Sequence, residues 1–388
     1  MPILLQQKRL KKMSTKNPLL TAKRLVLKIG SSLLVNETTG QVKNTWLNAL
    51  ADDILAARER GQQVIIVTSG AVAVGRRALG LPAGKLLLPQ KQASAAVGQI
   101  RLAHYYQEVL AERGLKVAQI LLTLDDSEDR KRYLNARNTL NTLMDLGIIP
   151  VINENDTVAT SEIKVGDNDR LAARVAQMAS ADALVIFSDI KGLYTANPRK
   201  DPSAKLIPVV EKLTPEIEAM ADGAGSAVGT GGMATKLMAA RLCMEAGCDM
   251  AIALGSEMHP LTRMEKTGEG TWFLADKSPI SARKAWIGGA IKPRGTLVLD
   301  AGAVKALDKG KSLLPAGIKA VKGSFERGDA VTLEDENGLF LGKGLTAYNA
   351  RDAKAIAGKH SNEIESILGY HGQDEIIHRD DLFTEKRG

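Results

Sequence analysis

From about residue 25 to residue 274, short apolar runs rich in Val, Ile and Leu alternate with stretches whose apolar residues recur every three to four positions. Strands buried on both faces read as continuous apolar runs. Their alternation with amphipathic helices leaves little beyond a largely parallel sheet covered by helices on both sides. Leu25-Val26-Leu27-Lys28-Ile29 reads as a strand and Gly30-Ser31-Ser32 as the turn after it. Trp46, Leu47, Leu50, Ile54 and Leu55 keep helical spacing until Gly61 stops the helix. Val64-Ile65-Ile66-Val67 is a second strand, running into Thr68-Ser69-Gly70. Further strands are expected at 117–122, 148–152, 183–187 and 250–254, with helices over about 90–113, 129–146, 169–178 and 233–247. The expected fold is α/β, a three-layer αβα sandwich with a mostly parallel sheet.

Ligands of such sheets bind beyond the carboxyl ends of the strands. Gly30-Ser31-Ser32, Thr68-Ser69-Gly70, Asn153-Glu154-Asn155-Asp156 and Ser188-Asp189 all fall at such ends. After about residue 276 the texture changes. Residues 284–291 read as a linker or first strand. Short strands are then expected at 296–299, 318–321, 330–333 and 339–341, with a helix over about 350–358. A second, small β-rich domain follows from this pattern.

The net charge of +8 suggests nucleic acid, but its location argues otherwise. Lys8, Arg9, Lys11, Lys12, Lys16, Lys23 and Arg24 supply seven of those charges within a stretch that holds no acid. The rest of the 388-residue chain is close to neutral, whereas nucleic-acid binding calls for a basic patch. The basic segment reads as a disordered extension, or as an upstream start with Met13 as the alternative. No stretch suggests a signal peptide or a membrane span. Cys243 and Cys248 have neither zinc spacing nor the number for a disulfide framework, so they read as buried reduced thiols of a cytoplasmic protein. His104, His259, His360, His371 and His378 all lie outside the Gly-rich and carboxylate-rich motifs, which argues against a zinc site or a His-based nucleophile.

Three motifs carry chemistry. Lys28 interrupts an apolar strand beside Gly30; a lysine there meets an anion or reaches solvent at an edge. Gly229-Thr230-Gly231-Gly232-Met233-Ala234-Thr235-Lys236 places glycines before a helix, where amides can approach an oxyanion, with Lys236 in the first turn. It lacks Walker A spacing, and no strand precedes it as a dinucleotide fingerprint requires. Between Asn153 and Asp169 lie two Asn-Asp pairs, Asn155-Asp156 and Asn168-Asp169, able to hold the ammonium and carboxylate of a small zwitterion. Two lysines and several glycine nests fit phosphoryl transfer, which needs positioning and charge neutralisation above all. The lack of motif histidines favours an acid as acceptor, because a carboxylate is already ionised and needs no general base.

Taken together, Leu27-Lys28-Ile29-Gly30-Ser31-Ser32, Val67-Thr68-Ser69-Gly70-Ala71, Asn153-Glu154-Asn155-Asp156 with Lys164-Val165-Gly166-Asp167-Asn168-Asp169, Asp189 with Lys191-Gly192-Leu193-Tyr194-Thr195, and the run from Thr230 to Lys236 resemble the amino acid kinase family. Lys311-Ser312-Leu313-Leu314-Pro315-Ala316-Gly317-Ile318 and Gly323-Ser324-Phe325-Glu326-Arg327-Gly328-Asp329 resemble a PUA domain. The resemblance implies a basic extension over 1–23, a kinase domain over 24–275, a linker over 276–290, a PUA-like domain over 291–375 and a tail over 376–388.

It also implies transfer of the γ-phosphoryl group of ATP, with Mg2+, to the side-chain carboxylate of L-glutamate, at the head of proline biosynthesis. On this reading Lys28 and Lys236 flank the moving phosphoryl group, Asp169 orients them, and the Gly30 and Gly70 backbones bind phosphate oxygens. Ser69, Asp156 and Asn168 hold glutamate. Ser188, Asp189, Thr230, Gly231, Gly232, Met233, Ala234, Thr235 and Lys236 line the ATP side, together with Lys28 and Gly30. No metal ligand is assigned. L-Proline is the implied inhibitor, a homodimer or homotetramer the implied assembly, and a glutamyl phosphate reductase the implied transient partner. Two alternatives stay open: a related kinase for another acid, and an RNA-binding regulatory protein with a degenerate kinase domain.

Overall fold

The computed structural model describes residues 17–36, 39–82, 84–158, 168–222, 232–289, 291–370 and 372–385. The chain divides into two compact units between Pro279 and Ile280. The first holds eight strands: β1 (Arg24–Ile29), β2 (Gln63–Val67), β3 (Val117–Leu122), β4 (Ile149–Glu154), β5 (Ala183–Ser188), β6 (Val209–Val210), β7 (Asp249–Leu254) and β8 (Thr271–Phe273). They form one sheet in the order β3-β4-β2-β1-β5-β7-β8-β6. Every pairing from β3 across to β7 is parallel, and β8 runs antiparallel to β7. The sheet grows outward from β1 in both directions, so the strand order reverses between β1 and β5. That reversal opens a crevice at the carboxyl edge.

Strand side chains alternate between faces, and this parity builds two separate cores. Leu25, Leu27 and Ile29 of β1, Val64 and Ile66 of β2, and Val185 and Phe187 of β5 pack on one side with the helices Asn44–Glu59 and Leu88–Ala111. Val26, Ile65, Val67, Leu184 and Ile186 pack on the other with the helices Asn168–Met178 and Met233–Glu245. Each large aliphatic side chain so enclosed contributes roughly 1.5–3 kcal/mol. Lys28 shares parity with Val26, so the strand aims its ammonium at the second pair of helices.

Several local features differ from the sequence reading. Gly30-Ser31-Ser32 is not a simple turn: Gly30 precedes one helical turn, Ser31–Leu34. The helix Ala71–Ala78 escaped notice because Gly75, Arg76 and Arg77 break its apolar spacing. Cys248 lies beyond the end of the Met233–Glu245 helix that carries Cys243; both thiols are free and buried. No helix among the described residues is long and apolar enough to cross a membrane.

The second unit contains β9 (Gly295–Leu299), β10 (Ile318–Gly323), β11 (Ala330–Asp335), β12 (Phe340–Leu345) and β13 (Leu382–Thr384), ordered β10-β9-β11-β12-β13. Residues 284–291 are not a linker or strand. The helix Pro279–Gly289 covers most of them, and Ile287 buries itself against Ala330 and Leu345. Nor do residues from 376 onward behave as a tail. Ile376, Ile377 and Leu382 are buried in the core of this unit, and β13 extends its sheet.

One contact fixes an element of the crevice. Where the helices Ala71–Ala78 and Leu88–Ala111 cross, a Cβ on Gly75 would lie 1.7 Å from the Ser94 carbonyl oxygen, and one on Gly98 would lie 1.8 Å from that of Ala71. Backbone meets backbone there, and neither partner can yield. Gly98→Ala is therefore expected to cost about 3 kcal/mol, read as a lowered denaturant midpoint. An unchanged midpoint would refute the tight crossing.

Candidate active site

A cleft of about 1140 Å³ opens at the carboxyl edge of the first sheet. Its floor is an ion triad. Lys28 Nζ lies 2.6 Å from Asp169 Oδ1, and Lys236 Nζ lies 3.0 Å from Asp169 Oδ2. The three residues are 7%, 1% and 6% exposed in the order Lys28, Asp169, Lys236. Three elements converge to make it: β1 delivers Lys28, and the first turns of two helices deliver Asp169 and Lys236. Burial alone pushes the Asp169 carboxyl up, but the attraction of both lysines outweighs it and holds the group below the usual carboxylate range. Asp169 thus holds two buried lysines side by side at the floor of the cleft, where both can meet an incoming anion. The Thr235 hydroxyl, 3.0 Å from Asp169 Oδ2 and 2.8 Å from the Gly232 carbonyl oxygen, ties the helix entry to the triad.

Beside the triad lies an amide network whose polarity is fixed. The Glu154 N–H donates to Asn153 Oδ1 at 2.9 Å, which identifies that atom as the oxygen. Asn168 Nδ2, with two N–H bonds to share, lies 2.8 Å from the same oxygen, 2.5 Å from the Thr68 carbonyl oxygen and 2.9 Å from Ser69 Oγ. Asn153 Nδ2 is then left buried with no hydrogen-bond partner among the described residues, in a side chain that lines the cleft. An orphan buried donor costs about 1–3 kcal/mol until a ligand meets it. Asn153 was quoted in the sequence motif but assigned no role. Its free amide depends on which neighbour takes its oxygen, and spacing does not reveal that.

The remaining expected site residues fall as follows. Ser69 and Gly70 line the cleft, and Gly70 has φ +103°, a left-handed conformation that turns β2 into the next helix. Gly30 lines it too, but with an ordinary φ of −72°. What its missing side chain provides is open space 3.9 Å from Lys28 Nζ, rather than an unusual backbone turn. Asp156 lines the cleft, and burial pushes its carboxyl up to about 6. Asn155 is spent on the loop, its Oδ1 accepting from the Thr157 hydroxyl. Ser188 and Asp189 line the opposite wall, where Arg199 Nη2 lies 2.8 Å from Asp189 Oδ2. Gly232 and Met233 line the cleft with Lys236, whereas Ala234 and Thr235 do not. Thr230 and Gly231 lie outside the described residues, as do Lys164, Val165, Gly166 and Asp167. The sequence reading missed Arg76 and Arg77, cleft-lining cations on the Ala71–Ala78 helix.

Asp156 supplies a stability test. A carboxyl whose folded pKa is raised stabilises the fold only while protonated. That contribution is present below about pH 4 and is lost as pH rises through about 6. Asp156→Asn removes the loss, so at pH 7.5 the variant is expected to be more stable than the parent by on the order of 2 kcal/mol, with the difference vanishing near pH 4. Equal denaturant midpoints at both pH values would show that Asp156 carries no burial cost.

Residues 23–253 match the model of the amino acid kinase family, and residues 295–368 match that of the PUA domain. A glutamate 5-kinase of Paramagnetospirillum magneticum is 65% identical over 369 residues, covering 95% of this chain and 100% of the relative. A glutamate 5-kinase of Rhodospirillum rubrum is 58% identical over 362 residues, covering 93% and 96%. One of Paracoccus denitrificans is 56% identical over 361 residues, covering 93% and 97%. The chain belongs to the amino acid kinase family and carries a PUA domain after its kinase fold.

Proposed function

We propose that this chain transfers the γ-phosphoryl group of ATP to the side-chain carboxylate of L-glutamate, giving γ-glutamyl phosphate and ADP, the first step of proline biosynthesis. The observation that carries the reading is the buried triad of Lys28, Asp169 and Lys236 next to a pre-set amide cluster. The names borne by the relatives supply the acceptor.

A glutamate side-chain oxygen forms a bond to the γ-phosphorus, and the bond from that phosphorus to the β-bridging oxygen breaks. No proton moves, because the attacking carboxylate is already ionised. The described residues lining the cleft accordingly include no histidine. Lys28 and Lys236 hold the charge that spreads over the transferring oxygens, and Asp169 keeps both ammonium groups in place without reorganisation. Asp156 faces the substrate ammonium, while Asn153 Nδ2 donates to a substrate carboxylate oxygen. Ser69 and Asn168 complete that half. Ser188, Asp189, Gly232 and Met233 form the nucleotide half.

Mg2+ fits this donor set as a companion of the nucleotide. Lysines engage both Asp169 oxygens, and among the described residues no three His, Cys, Asp or Glu side chains gather into a cage. Bound with the nucleotide, such a hard cation would add charge neutralisation to that of Lys28 and Lys236. L-Proline keeps the ammonium and carboxylate of glutamate without its side-chain acid, so it suits the acceptor half as an inhibitor. The half-buried apolar edge strand β3 suits pairing with a second copy. The free thiols Cys243 and Cys248 fit a cytoplasmic setting.

The test is ATP- and Mg2+-dependent hydroxamate formation in hydroxylamine with glutamate, N-acetylglutamate or aspartate as acceptor. Product with glutamate alone is expected; folded, ATP-binding protein that gives none would overturn the reading. Lys28→Ala and Lys236→Ala should each lower kcat by about 10²–10³ while the protein stays folded, and near-normal rates in both would remove the triad from the chemistry. As pH falls through about 6, Asp156 is protonated and loses its hold on the ammonium. The value of kcat/KM for glutamate should then fall about tenfold per pH unit, and Asp156→Asn should flatten that limb at a uniformly raised KM.

A further inference from the structure

The acceptor half of the cleft is held from behind by one helix, Leu88–Ala111. Tyr106 on that helix is completely buried, and its hydroxyl lies 3.0 Å from Thr68 Oγ1. Thr68 Oγ1 is in turn 3.4 Å from the Ser69 carbonyl oxygen, and the Thr68 carbonyl accepts the short hydrogen bond from Asn168. Two turns earlier on the same face, buried Gln99 donates from Nε2 to the Glu154 carbonyl at 3.2 Å, at the end of the strand that carries Asn153. The helix therefore grips the ends of both β2 and β4. A phenyl ring would fill the space of Tyr106 equally well, and a hydroxyl enclosed in an apolar core is a liability unless it is bonded. Its presence is explained by what it holds. Tyr106 and its helix pack into the core on one face of the sheet, whereas Lys28 and the helices bearing Asp169 and Lys236 belong to the other.

We infer that Tyr106, through Thr68, and Gln99, through the end of β4, are positioning residues for the acceptor. They set the placement of Ser69, Asn168 and Asn153 without touching the substrate or the phosphoryl group. The inference rests on the reading that these three residues hold glutamate. It adds that affinity for the acceptor is tuned from within the core, separately from the nucleotide half.

Steady-state kinetics on the full chain test it. Tyr106→Phe is expected to raise KM for glutamate about three- to tenfold, the scale of one lost hydrogen bond, with kcat and KM for ATP within twofold. Thr68→Val should do the same, Thr68→Ser should restore parental values, and the double variant Tyr106→Phe/Thr68→Val should be no worse than the worse single one. Gln99→Met should raise KM for glutamate independently. An unchanged glutamate KM in both Tyr106→Phe and Thr68→Val overturns the inference, as does an equal rise in KM for ATP. Should Tyr106→Phe fail to fold, the Thr68 pair decides alone. A parent protein that forms no glutamyl hydroxamate would sink the functional reading itself, whereas an active parent with indifferent variants sinks only the positioning role.

Discussion

Two lysine ammonium groups share the floor of this cleft with almost no solvent. They can do so only because Asp169 stands between them. Without it, the two like charges would repel at close range. With it, both are paired in a setting where each charge counts for more than in bulk water. The Gly30 gap, the Thr235 hydroxyl and the two helix entries all serve to keep that arrangement open toward a ligand.

The sheet makes this arrangement possible through parity. Lys28 sits one position past a residue of one core and one position before a residue of the same core as Phe187, so its side chain crosses to the opposite face. The ion triad gathers on that face. Ser69, Asn153 and Asn168 meet at the edge, where strand ends from both faces become accessible.

Much of the first unit was readable from the chain because its central strands are long apolar runs bounded by glycines. Lys28 stood out as a charge within such a run, and Asp169 and Lys236 as polar residues in the opening turns of patterned helices. Elements that depend on three-dimensional neighbours were not readable. β8 is three residues long, too short to show a period. The helix Ala71–Ala78 is held by a backbone crossing at Gly75 and Gly98, a contact between main chains that no side chain announces. The segment Pro279–Gly289 read as a linker because Ile287 is its one fully buried side chain. Of the four residues in the two Asn-Asp pairs, spacing could not tell that Asn155 braces a loop while Asn168 anchors a network. The orphan amide of Asn153 follows only from tracing each donor to its acceptor.

Two buried lysines converging on an open cleft also make a landing place for anions in general. Chloride, inorganic phosphate and spent nucleotide all satisfy the same electrostatic demand, which takes no account of chemical identity. Discrimination among them would fall to directional groups lining the same cleft, such as the buried amide of Asn153 and the carboxylate of Asp156. Electrostatic attraction alone does not distinguish what enters such a cleft from what leaves it.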